Sequence, residues 1–339
     1  MKKKDLLKLN LQFFAEPNTN VTTDAGLSGE MKTFYNATLI DEAQPHLVHD
    51  QFADKYPIPQ GKGKVIEFRK YDSLPKATTP LQEGVTPKGN KLNMGVITAE
   101  VAQYGDYITI SDVLKMTAID NNIVQASKLQ GSQSGMTLDT ITREVLAGGT
   151  NVIYAPKVSG GTETVVTSRA ALDKTAKLTP DLIYQAATVL KAQNAPYLEG
   201  GYVAIIHPYV AYDLMRHEEW IEAHKYAKPE NLFEGELGKI GKVRFVDSTE
   251  AKIWKDSTCP TGLAVFSTLV LGAHAYATTE LEGGGLQHII KQLGSGDDPL
   301  NQRATVGWKA TKVAKRLVEQ YMVRIESCSE KYSEVAEAN

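Results

Sequence analysis

The chain has 339 residues and 37.1 kDa, enough for two or three packed units at ~100–200 residues per domain. Its 42% hydrophobic and 23% charged residues form an ordinary globular composition, which excludes wholesale disorder. The 37 basic against 40 acidic groups, a formal charge of −3, exclude a dedicated nucleic-acid binder, whose domain would be visibly basic.

The two cysteines, Cys259 and Cys328, lie far apart and neither sits in a CxxC. They read as free thiols in a reducing compartment, without a disulfide framework or a cysteine zinc site. No run reaches the ~18 uninterrupted apolar residues of a membrane span. The start, Met1-Lys2-Lys3-Lys4, resembles a signal peptide's basic opening, but Lys8, Asn10 and Gln12 interrupt the apolar core that should follow. A soluble, cytoplasmic protein with no membrane partner is expected.

In chain order, Leu7, Leu9, Leu11 and Phe13 alternate with polar residues, as in a strand or extended arm. Residues 15–30 are short, polar and turn-forming, and read as a connector; 31–56 read as helical in part, up to Tyr56-Pro57-Ile58-Pro59. Residues 64–71 alternate as a strand, and a stretch rich in Pro, Thr, Gly and Lys separates them from further strands at 96–101 and 104–110. So long a connection is uncommon inside a compact domain and points to a projecting hairpin used in binding or assembly. Ser111 reads as the N-cap of a helix over 112–130, broken at Gly131 and Gly135 and resumed over 136–146. Short strands follow at 152–154 and 164–166, then a helix opened by Thr179-Pro180-Asp181. Residues 202–206 form a buried strand, 208–217 a helix, and 243–246 and 264–266 strands; 269–276 are buried without a clear period. Residues 303–325 turn strand-like near their end and pack on the long helix, and the polar tail 330–339 is frayed.

Motifs for catalysis fail on inspection. Gly235 to Lys242 has the glycines and lysines of a phosphate loop, but its glycine spacing is wrong and Val243 stands where Ser or Thr belongs. Gly131-Ser132-Gln133-Ser134-Gly135 has Gln133 at the nucleophile position and lies within a helical pattern. His46 and His49 lack a third ligand, and His217-Glu218-Glu219 lacks the second histidine of a zincin helix. Asp297-Asp298-Pro299 reads as a turn. His207, with Asp213 or Asp247 as partner, is the best isolated catalytic candidate; its bland reading is a strand-end histidine bonded to a nearby carbonyl. No catalytic, cofactor-binding or metal residue is assigned.

Several strings occur in an order that resembles tailed-bacteriophage major capsid proteins, in the group typified by the coliphage named N-four. They are Phe68-Arg69-Lys70-Tyr71, Leu81-Gln82-Glu83-Gly84-Val85-Thr86-Pro87, Gln103-Tyr104-Gly105, Ile206-His207-Pro208, the 235–245 segment, and Asp297-Asp298-Pro299-Leu300-Asn301-Gln302 leading to Gly307-Trp308-Lys309. The resemblance covers residues 31–327 and implies an α+β, Hong Kong 97-type capsid fold. Its parts would be an N-terminal arm (1–60), an extended loop (61–110), the peripheral domain's spine helix (111–149), an axial domain (150–290), peripheral C-terminal strands (291–328) and a tail (329–339). It implies self-assembly as hexamers and pentamers into an icosahedral head enclosing double-stranded DNA without sequence-specific binding. The portal protein and possible scaffolding and decoration proteins would be partners, and assembly would take place in the bacterial host cytoplasm. Arg69, Lys70, Lys76, Glu83 and Lys88 would meet a neighbouring subunit's spine helix. Lys62, Lys64 and Asn90 could supply an intersubunit crosslink, but nothing local marks one and none is predicted. The near-neutral charge suits a shell that holds DNA without gripping it. The rival readings are an encapsulin-type compartment, an α+β hydrolase using His207, and a monomeric surface-binding or tail protein.

Overall fold

The computed structural model describes residues 47–71, 74–80, 83, 84, 86, 88–117, 122–225, 236–294 and 298–339. The expectations for the arm alternation, the 15–30 connector, the helical start at 31–46, His46 and Asp297 lie outside these residues. Of the 31–56 helical reading, residues 49–52 form turns and β1 (Asp54–Lys55) is a short strand.

The chain continues through β2 (Val65–Tyr71), β3 (Met94–Glu100) and β4 (Ala102–Ser111) to α1 (Asp112–Thr117) and the long α2 (Asn122–Ala147). Then come β5 (Val152–Tyr154), β6 (Lys157–Ser159), β7 (Thr162–Thr164), α3 (Pro180–Ala192), β8 (Tyr202–Ile206), α4 (Pro208–Met215) and α5 (Glu218–Lys225). The last strands are β9 (Glu236–Ile240), β10 (Val243–Asp247), β11 (Ile253–Trp254), β12 (Val265–Leu271), β13 (Tyr276–Thr279), β14 (Gln287–Lys291), β15 (Arg303–Arg316) and β16 (Met322–Ser327).

Two sheets organise these elements. The first is ordered β1–β13–β15–β14, with β4 also paired to β15 over ten residues from Ala102↔Lys312 to Ser111↔Arg303. Helix α2 lies on this sheet: Ile123 and Ala126 pack with Ile110 and Val306, and Leu138 packs with Trp308 and Ala310. Polar contacts run along the same seam. Gln130 Nε2 donates to the Val306 carbonyl at 2.7 Å, Trp308 Nε1 to Gln133 Oε1 at 3.2 Å, and Arg316 to the Val145 carbonyl at 2.7 Å. The expected break at Gly131 and Gly135 is absent. Both glycines are buried in a stripe with Ser127 and Ser134, and tertiary packing outweighs the ~1 kcal/mol that each mid-helix glycine costs. Ser111 does cap α1, its Oγ accepting from Leu114 N at 3.2 Å.

The second sheet is ordered β5–β16–β12–β8–β10–β9, with β11 on β12. Every residue of β8 and β12 is buried, as their unbroken apolar runs require of strands covered on both faces. Helix α3 seals one face through Leu182, Ile183, Ala186 and Leu190. Its start departs from expectation in one detail: Thr179 makes no side-chain cap bond, so Pro180 at the first turn and Asp181 define the terminus. The strand expected at 164–166 lies earlier, as β7, paired with β6 around Gly160-Gly161.

The sheets redraw the expected boundaries. β4 belongs to the first sheet, so only β2–β3 and their connection project. β13 and β14 join that sheet as well, whereas β16 joins the second. The tail is docked instead of frayed: Ser329, Ser333 and Ala336 are buried, the Ala264 amide donates to the Ser333 carbonyl at 2.7 Å, and Lys255 Nζ donates to the Ala336 carbonyl at 2.8 Å. Arg324 of β16 joins the two layers. Its guanidinium donates to the carbonyls of Ala147 and Gly149 at the C-terminus of α2 and to Glu326 Oε1 at 2.9 Å, where a cation complements the helix dipole. Arg169 completes the cluster with two 2.7 Å bonds to Glu326 while lying 3.8 Å over the Trp254 ring.

Candidate assembly surface

The catalytic candidates resolve into structural roles. Ile240 pairs with Val243, and the intervening Gly241 and Lys242 have φ of 54° and 70°. That is a two-residue hairpin of the kind requiring positive φ at both central positions, so the glycine-lysine segment turns a chain. Gly131–Gly135 is helix interior. Asp298 Oδ2 accepts the amides of Gln302 and Arg303 at 2.7 Å, closing a turn. His207 caps α4, its Nδ1 accepting from Tyr209 N at 3.2 Å, with its ring 5.3 Å from that of Phe266. It therefore accepts from a backbone amide, where the bland reading had a carbonyl partner. Burial pushes its pKa down to about 4, and no hydrogen bond among the described residues joins it to Asp213 or Asp247. Both cysteines are free and buried, and burial pushes Cys328 up to about 12.

The surface the sequence singled out is distinctive in another way. β2 and β3 form a two-stranded sheet of their own, in register from Val65↔Glu100 to Tyr71↔Met94. On one face Ile66, Phe68, Ile97 and Ala99 are half-buried or buried, Phe68 meeting the Tyr56 ring edge-on at 5.5 Å. The other face carries Val65, Glu67, Arg69 and Tyr71 opposite Glu100, Thr98, Val96 and Met94, all exposed, with Tyr71 at 58% and Val96 at 47%. A two-stranded ribbon is marginal alone in water, and Leu74 and Leu92 beyond it are 55% and 74% exposed.

Of the expected contact residues, Arg69 lies on the bare face, Lys70 on the opposite one, and Lys76, Glu83 and Lys88 in the connecting segment; all five are exposed. None forms an ion pair among the described residues. Lys64 pairs with Glu100 at the stem base, and that carboxylate raises its pKa. Lys62 and Asn90 are exposed.

Sequence reading missed the strap, residues 47–58, that leads into the hairpin. His49 is fully buried; its backbone N and Nδ1 contact the two Asp139 carboxylate oxygens at 2.7 and 2.6 Å. Asp50 accepts from Thr142 Oγ1 at 2.6 Å and pairs with Lys312. Tyr276 donates to the His49 carbonyl. Burial lowers the Lys312 pKa against the pull of Asp50. β1 then pairs in parallel with β13, and Ile58 N donates to the Glu280 carbonyl at 2.9 Å. These partners lie 90 to 262 residues away in sequence, so no local pattern announces them.

A projecting hairpin, a long helix laid on one sheet, and a second mixed layer define a Hong Kong 97-type capsid fold, and solved structures bear this out. The chain is similar to the capsid of Ralstonia phage GP4 (15% identity, 83% of this chain and 88% of that one, TM-score 0.64). It is likewise similar to the capsid of Cyanophage P-SCSP1u (17% identity, 82% and 87%, TM-score 0.61). A virus-like particle from Pyrococcus furiosus shares the fold at 8% identity over 87% of this chain and 99% of that one, with a TM-score of 0.50. No curated protein sequence matches. The phage capsid protein family matches over residues 95–319, and the chain belongs to that family. It is a major capsid protein, with a structural role in the virion shell.

Proposed function

We propose that copies of this chain clasp one another through the β2–β3 hairpin, which lies across the spine-helix unit of a neighbour, and so build hexamers and pentamers of an icosahedral head around double-stranded DNA. The observation that carries this reading is the hairpin's exposure: it holds apolar and cationic side chains that the protomer leaves uncovered. Arg69, Lys70, Lys76, Glu83 and Lys88 are its contact residues. Such an interface joins different patches on the two copies, and closes into rings when the rotation permits. A portal protein completes the head, scaffolding or decoration proteins assist where required, and assembly takes place in the bacterial cytoplasm. No enzymatic step is needed.

The test is to replace residues 72–93 with a two-residue turn and compare sedimentation with the full chain. The expected result is loss of rapidly sedimenting assemblies with unchanged circular dichroism; assemblies of unchanged amount and form would refute the hairpin's role. Particles filled with protein cargo instead of DNA would favour a compartment. Esterase or phosphatase activity abolished by His207→Ala would favour the hydrolase.

A further inference from the structure

Beneath the strap lies an amine that the protein's structural role leaves unused. Lys312, on the helix-facing side of β15, is only 6% exposed. Its Nζ meets Oδ2 of Asp50 and donates to the Leu138 carbonyl at 2.8 Å. Asp50 arrives from the strap, and its other oxygen, Oδ1, accepts from Thr142 Oγ1 of α2 at 2.6 Å. Asp139 stands between Leu138 and Thr142 on α2. It is fully buried, the backbone N and the ring of His49 hold its carboxylate, and its charge also acts on Lys312. The buried Tyr276 of β13 closes the site through its bond to the His49 carbonyl. One amine and two carboxylates, brought from the strap, α2 and β15, are thus enclosed together.

An ammonium–carboxylate pair and an amine–carboxylic acid pair differ only in the place of one proton. Water favours the charged form, and burial removes that advantage; burial does lower the Lys312 pKa. A neutral amine fixed against a carboxyl group is a nucleophile fixed against its electrophile, at high effective concentration. We propose that Lys312 Nζ and Asp50 Cγ condense within one chain to an amide, with loss of one water. The Nζ lone pair forms the C–N bond while Thr142 donates to Oδ1, where charge gathers. The bond from Cγ to Oδ2 then breaks. Asp139 receives the proton that Nζ sheds and passes it to the departing hydroxyl, which leaves as water. Atoms and charges balance without an oxidant or a second reactant. The product ties the strap to β15 across 262 positions of sequence and so fixes the root from which the hairpin springs. It does not depend on what the hairpin touches.

Mass spectrometry of the full chain reads the bond directly. The expected intact mass lies one water below that of the sequence, and a tryptic digest should contain a branched peptide joining the segment around Asp50 to that around Lys312. Lys312→Arg keeps a cation beside Asp50 but cannot condense, so it should show the full mass, as should Asp50→Ala. Asp139→Asn keeps hydrogen-bonding groups beside His49 but carries no proton, and should leave most of the chain at full mass. Circular dichroism matching the unaltered chain verifies folding; if a variant fails to fold, the mass and the branched peptide of the unaltered chain decide. A folded full chain that keeps its complete mass after prolonged incubation overturns the proposal and leaves a buried ion pair. So does a water lost without the branched peptide, since cyclisation at an aspartate also releases water. Condensation of Asp139→Asn to the same extent as the unaltered chain overturns the proton route.

Discussion

At the residue scale, the buried ionisable groups carry the sharpest consequences. His207 has an ordinary pKa of 6.5 and is held at about 4 in the fold, so unfolding takes up a proton between those values. Stability should therefore fall as pH drops from 6.5 toward 4, by at most ~3 kcal/mol from this group. His207→Asn keeps a capping side chain, and its denaturation midpoint should vary less with pH across that window; an unchanged pH profile would exclude the assignment. Arg324 is the second case. Removing its guanidinium leaves Glu326 with Arg169 alone and strips one of two cations, the other being Arg316, from the end of α2, so Arg324→Met should cost ~3–5 kcal/mol, read in urea unfolding. Neither role was visible in sequence. His207 was noticed as a strand-end histidine, but Arg324 is one cation in an alternating run, and its partners Ala147 and Gly149 lie some 175 residues upstream.

At the element scale, the hairpin could be read from residues 64–71 and 96–101 because alternation is a local property. β15 could not. Its helix-facing positions are Ala304, Val306, Trp308, Ala310, Lys312, Ala314 and Arg316, where small residues and two cations directed at α2 carbonyls hide the period of two. For the same reason the glycines of α2 looked like breaks: Gly131 and Gly135 are buried in the helix, and burial is set by tertiary packing that no local pattern shows. Gly105 shows how tight the β4–β15 pairing is, since a Cβ there would lie 2.5 Å from the Trp308 carbonyl oxygen. Gly105→Ala should destabilise by ~1–3 kcal/mol, whereas Gly89→Ala, with open space around its Cβ position, should be neutral. Phe68→Ala, which removes the contact with Tyr56, should raise hydrogen exchange in β2 and β3 while leaving β8 and β12 protected.

At the scale of the whole molecule, Arg324 ties the two layers and the tail docks on the second, while the β2–β3 hairpin stays largely exposed. The order of parts, read from the chain and from its resemblance to capsid proteins, was enough to reach the fold. The layer boundaries were not, because β13, β14 and β16 are assigned by long-range pairing alone. The central claim is self-assembly, and the most direct measurement is negative-stain electron microscopy of the full chain, expressed alone and co-expressed with a candidate scaffolding protein. The account predicts closed shells, tubes, or rings of five or six subunits. Uniform particles of one subunit under both conditions would contradict it.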